Sequence, residues 1–144
     1  MHNVDYTTAM TLGKDTYTGL INYLKNQFFA TGELWAVTAY ANEYGITGDY
    51  TSYQNRVNLF SNVLEEILRR KEARIAKEGQ FLSGLPEEQA AQFRTALPTT
   101  LEEMEEKDAY WWYLDECPGG LVWYTDIDDN GFETSPTGDG RFYL

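Results

Sequence analysis

TSYQNRVNLFSNVLEEILRRKEARIAKEG, residues 51–79, decides the fold. Tyr53, Val57, Phe60, Leu64 and Ile67 recur at alternating steps of four and three, the spacing of one helical face. Thr51 with Gln54 three residues later reads as a capping-box start, and Gly79 suits a left-handed stop. The spacing therefore predicts one long central helix over about residues 52–78. Arg69, Arg70, Lys71, Arg74 and Lys77 crowd its last turns, where the helix dipole favours cations. They are also placed to pair with acids elsewhere in the chain, a use that outweighs phosphate binding.

Working outward, Met1 to Lys14 is polar and reads as a flexible arm. Asp15 can cap a first helix running through Thr31, with Tyr17, Leu20, Ile21, Leu24 and Phe28 on one face and Gly32 as its stop. A second helix, from about Glu33 to Tyr44, is apolar nearly all round and ends at Gly45, the pattern of a helix buried between others. Residues 46–50 read as a turn. After a loop over 80–85, Pro86 fits the first position of a fourth helix that Pro98 stops. Thr99 with Glu102 marks a fifth helix, to about Asp115, broken by Pro118-Gly119-Gly120. Residues 121–144 change character. Leu121 to Thr125 has strand composition, Asn130-Gly131 is a hairpin turn signal, and 132–134 and 141–144 offer partner strands. The expected fold is mainly α within an α+β class: about five helices in one domain over residues 1–144, with a small C-terminal β-hairpin or meander.

Charge is lopsided. The chain carries a formal net charge of −12 over 144 residues. Residues 85–144 hold fourteen acids against three bases, while residues 49–84 hold five acids against six bases. That sign argues against direct binding of nucleic acid phosphates and against anionic membranes. The N-terminus lacks a basic-then-apolar signal pattern, no apolar run approaches membrane-spanning length, and Cys117 is the only cysteine. A cytoplasmic setting, in a bacterial or phage-infected cell, is expected.

Glu102, Glu103, Glu105, Glu106 and Asp108, offset by Lys107, concentrate negative charge in seven residues. On a helix that spans roughly 9 Å of axis, and its linear charge density is comparable to that of duplex DNA. Tyr110, Trp111, Trp112 and Tyr113 follow directly. Successive helical residues are about 100° apart, so four consecutive rings cannot share one buried face. At least one should stand exposed beside the acids. Glu102, Glu103, Glu105, Glu106, Asp108, Trp111, Trp112, Asp115 and Glu116 are therefore the expected contacts to a basic partner protein, with Trp111 or Trp112 as the anchor. In composition the chain resembles phage anti-defence inhibitors, of the anti-CRISPR or anti-restriction type, and nuclease immunity proteins. The resemblance implies an inhibitor or decoy acting on a nuclease or other nucleic-acid-binding protein.

Two alternatives stand beside it. Asp126, Asp128 and Asn130 followed by Gly131 match the first half of a calcium loop, although its twelfth position falls on Thr137 where a bidentate Glu is needed. The other use of that segment is a hairpin turn with solvated acids. A structural or assembly role would use the apolar surplus of the second helix and of Leu121 to Tyr124 as a self-interface. Catalysis has little support. His2 is the only histidine, so no Ser/His/Asp or Cys/His set and no His–Cys metal cluster can be assembled away from the N-terminus. No cofactor motif is present.

Overall fold

A computed structural model describes residues 17–123 and 142–143. Helix α1 covers residues 17–26. It is followed by α2 (Thr31–Thr38), a 3-10 turn (Ala41–Tyr44), α3 (Tyr53–Arg69), β1 (Ala73–Lys77), β2 (Gln80–Phe81), α4 (Pro86–Ala96) and α5 (Leu101–Lys107). A 3-10 turn (Asp108–Tyr113) leads from α5 to β3 (Gly120–Trp123) and β4 (Phe142–Tyr143). The strands form one antiparallel sheet in the order β2-β1-β3-β4. The class is mainly α with a small sheet, as the periodicities require.

The apolar face of α3 is the centre of the core. Val57, Phe60, Leu64 and Ile67 are buried, and Leu59, Val63 and Leu68 widen the buried stripe. Tyr53 is half-buried, and its hydroxyl donates to the Pro98 carbonyl at 2.6 Å. The helix starts one residue later than the capping box suggests, because Ser52 caps it by accepting the Asn55 N–H. Leu20, Ile21 and Leu24 of α1, Leu34 and Trp35 of α2, Phe93 of α4 and Trp111 join the same cluster. Leu34, Trp35, Leu121, Val122 and Trp123 are buried in the chain's own core, whereas Ala36, Ala39 and Tyr40 of the second-helix segment are exposed.

The long helix is shorter than its spacing predicts. Helix α3 ends at Arg69, and residues 73–77 form the central strand β1. Lys71 takes the left-handed conformation, with φ 59°. The Glu72 N–H donates to the Ile67 carbonyl and the Lys71 N–H to the Leu68 carbonyl, both at 3.1 Å. Those paired bonds are the Schellman stop, which usually places glycine where Lys71 stands. Beyond it Ala73 and Ile75 point into the core while Arg74 lies between them, the period of a strand. Gly79 does not stop a helix. With Glu78, also at positive φ, it forms the two-residue turn between Lys77 and Gln80 that a type I′ hairpin requires.

The first helix is corrected in the same way. It ends near residue 26, and Phe28, at φ 52°, holds the left-handed position while Phe29 N–H donates to the Leu24 carbonyl. Gly32 therefore lies inside α2. The second helix is also shorter than expected: α2 ends at Thr38, and Gly45, left-handed, ends the separate Ala41–Tyr44 turn. Pro86 opens α4, and α4 ends at Ala96 ahead of Pro98, as expected. The fifth helix is α-helical only to Lys107. Thr100 caps it, accepting the Glu103 N–H, while the Glu103 carboxylate accepts from the Thr99 N–H and hydroxyl.

Candidate functional site

Helix α5 is a surface helix by design of its letters. Met104 is buried and Leu101 and Lys107 are half-buried, whereas Glu102, Glu103, Glu105 and Glu106 are all exposed. A carboxylate on each side of Met104 leaves the outer face with no apolar or basic interruption. The tightening to 3-10 geometry at Asp108 then decides where the rings go. Side chains three residues apart eclipse in a 3-10 helix, so Tyr110 and Tyr113 fall on one side. They are the exposed rings, at 54% and 69% of full exposure. Trp111 is completely buried, which removes it as a partner contact. It is a core residue, edge-on to Trp112 with ring centroids 4.8 Å apart.

Trp112 is half-buried and forms one wall of a cleft of about 460 Å3. Ala30, Gly32 and Glu33 at the start of α2, Trp35 and Ala36 further along it, and Arg56 of α3 also line it, with Gly32 packed directly against the Trp112 ring. Leu101, Met104, Glu105 and Tyr113 complete the cleft. The fold thus joins Glu105 and Trp112, both expected contacts, to Glu33, Arg56 and Tyr113, which sequence reasoning missed. The missing signal is tertiary: α2 and α3 are brought beside α5 only by the core under them.

Arg56 is fastened to the cleft wall. Its Nε donates to Thr38 Oγ1 and its Nη2 to the Trp35 carbonyl, each at 3.0 Å. The guanidinium also lies over the Trp35 ring, 4.2 Å from its centroid, in a cation–π contact. Burial pulls the Arg56 pKa below its ordinary value, opposed by the oxygens of Tyr53, Glu105 and Tyr40. Glu33 is partly engaged as well, with Oε1 accepting the Ala30 N–H at 2.6 Å.

Asp115 and Glu116 are exposed on the turn after the rings. Glu116 stands 3.7 Å from Lys107, and the carbonyls of Asp115 and Cys117 both accept from Lys77 Nζ at 2.6 Å. The remaining cations are used nearer home. Arg69 pairs with Glu65 and Glu66, Arg70 pairs with Glu66, and Arg74 lies over the Phe81 ring. Hydrogen bonds and charge from Arg70 lead the causes that hold the Glu66 carboxyl below its usual range. Arg69 and Arg70 at the basic end of α3 thus pair with acids of their own helix, while Lys77 reaches the segment that follows α5. The Cys117 thiol is buried and raised in pKa by that burial, the state of a packed thiol rather than a nucleophile.

The side chain of Asp108 and the 126–131 loop with Asp126, Asp128 and Asn130 lie outside the described residues. Among the described residues no group of three or more His, Cys, Asp or Glu side chains is placed to hold a metal ion. Among them, too, no helix is long and apolar enough to cross a membrane.

Comparison with known proteins gives a fold and little more. Residues 68–137 match a family model described as a protein of unknown function, DUF596. The match takes in β1, β2, β3, α4 and α5 but neither β4 nor the α2 residues that line the cleft. Among solved structures the chain is similar to an uncharacterized protein conserved in bacteria, from Neisseria meningitidis. The identity is 20% and the TM-score 0.64, over 88% of this chain and 92% of that one. At that identity the likeness shows a shared fold alone. No curated protein matches.

Proposed function

We propose that the protein is a non-catalytic binder that engages the basic, nucleic-acid-binding surface of another protein through α5 and the adjoining cleft. The observation that carries this reading is the outer face of α5: four exposed glutamates turned away from Met104, with Tyr110 and Tyr113 exposed just beyond them. Exposed carboxylates at this density would occupy positions built for phosphates and steer a basic partner into contact. The exposed tyrosines replace Trp111 as the apolar part of the contact, since rim charges alone mostly tune association rate. Of the forms this activity can take, neutralising a nuclease fits a structural relative described as conserved in bacteria better than a phage-borne inhibitor does. The setting is then the bacterial cytoplasm.

Affinity capture from a bacterial lysate, with mass spectrometry of what is retained, identifies the partner. Replacing Glu102, Glu103, Glu105 and Glu106 together with Gln should weaken that complex at least tenfold, and rising salt should weaken the wild-type complex. A partner held equally well by the quadruple variant, without salt dependence, would show α5 to be only a solvated face.

A further inference from the structure

The cleft beside α5 narrows what this surface holds. Trp112 is a fixed platform. A Cβ on Gly32 would stand 3.0 Å from its Cδ1, so the ring sits directly against the backbone at the start of α2. Phe60 lies 5.7 Å from it, and Trp111 meets it edge-on. Tyr113, which also lines the cleft, is exposed.

The charges of the lining are two carboxylates, Glu33 and Glu105, against the one guanidinium of Arg56. Arg56 directs two of its nitrogens into the Trp35 carbonyl and Thr38 hydroxyl and rests on the Trp35 ring. Glu33 is held by the Ala30 N–H. Glu105 makes no hydrogen bond or ion pair among the described residues, although its charge acts on Arg56 across the lining. It is exposed at the mouth, with the aromatic wall beside it. An anion entering the cleft would meet these carboxylates and the field of a chain of net charge −12.

We infer that the cleft is the seat of an arginine side chain from the basic partner, its guanidinium laid against Trp112 and Tyr113 and paired with Glu105. The inference rests on the reading of α5 as the partner-binding surface, and it adds a residue preference that acidity alone does not give. A planar, weakly hydrated guanidinium stacks on aromatic faces and pairs with a carboxylate in a fork, whereas an ammonium is a strongly hydrated point charge. The exposed glutamates of α5 can pair with either cation. The aromatic lining of the cleft adds the stacking that favours the guanidinium.

The test uses the full chain with three probes: nona-arginine, nona-lysine and, as control, nona-glutamate peptides, at low and physiological salt. Affinity is measured by calorimetry, and the Trp112 indole N–H is followed by NMR. Nona-arginine should bind roughly five- to tenfold more tightly than nona-lysine and shift the Trp112 indole resonance. Tyr113→Ala and Glu105→Gln should each weaken nona-arginine binding to about the level of nona-lysine, with the indole shift lost. Equal, salt-sensitive binding of both cationic peptides would overturn the arginine seat and leave the α5 reading standing. So would a preference that survives both substitutions. Binding of neither cationic peptide would count against the α5 reading and the seat together. A stronger response to nona-glutamate would assign the cleft to Arg56 and overturn the proposal.

Discussion

Residues 53–69 and residues 70–81 are written in similar letters and fold in opposite ways. Both mix apolar residues with Arg and Glu, and residues 70–78 are richer in strong helix formers than residues 53–69. The first is α3; the second is a left-handed turn followed by the hairpin β1–β2. Propensity does not separate them. What separates them is Lys71 at positive φ, together with the sheet partners that β1 finds in β2 and β3. The two halves also hold the candidate surface at its two ends. Helix α3 supplies Arg56 to the cleft wall and Phe60 beneath Trp112, while Lys77 of β1 holds the carbonyls of Asp115 and Cys117. A break in the apparent helix is thus what lets one continuous stretch brace both ends of the segment that carries the acids and rings.

The largest test of this contrast is in the core. Phe60→Ala should cost about 3–5 kcal/mol and Ile75→Ala about 2–5 kcal/mol in denaturant unfolding, because both side chains are fully buried. Strand alternation adds a sharper expectation. Arg74→Ala, one residue before Ile75 and facing the other way over Phe81, should cost far less, about 1 kcal/mol or under. Equal losses at 74 and 75 would break the strand assignment.

A middle-sized effect separates the start of α3 from its end. Tyr53→Phe removes the hydrogen bond to the Pro98 carbonyl, which fastens α3 to the segment leading into α5, and should cost about 1–2 kcal/mol. Burial pushes the Tyr53 phenol up to about 12 from 10.0, while its unfolded counterpart ionises near 10. The folded state therefore favours the protonated phenol. Its contribution is complete below pH 10 and is lost as pH rises through the window from 10 to 12. Tyr53→Phe should flatten the fall in stability over that window. A profile unchanged by the substitution would assign the loss to other groups.

How much of this was legible follows from which residue takes each left-handed position. The stop at Gly45 is readable because glycine fills it, and the equivalent stops at Phe28 and Lys71 are not. Those two positions account for the overlong first and central helices. The apolar face of α3 was readable because its spacing survives any choice of partner. On the surface, the exposure of Glu102, Glu103, Glu105 and Glu106 follows from the acid run itself. The exposure of Tyr110 and Tyr113 with burial of Trp111 does not, since it depends on the switch from α to 3-10 geometry at Asp108. The cleft could not be read at all, because Glu33, Arg56 and Tyr113 are distant in sequence and meet only through packing.

The smallest expected effect bears most directly on the contrast between the two halves. A residue other than glycine in the left-handed region costs about 1–2 kcal/mol. Lys71→Gly would release that strain at the end of α3. Two terms oppose the gain. Glycine loses about 0.5–1 kcal/mol more conformational entropy on folding, and an exposed cation at a helix C-terminus contributes about 0.3 kcal/mol or more. The balance favours the variant by about 0.5 kcal/mol, a rise of roughly 1–2 °C in Tm for a chain of this size. Gly45→Ala is the mirror test. It places a Cβ at φ 82° and should lower stability by about 1 kcal/mol. If Lys71→Gly lowers Tm, strain is not what position 71 holds. The lysine's charge at the end of α3 would then outweigh its backbone cost, and the stop would be set by the hairpin beyond it.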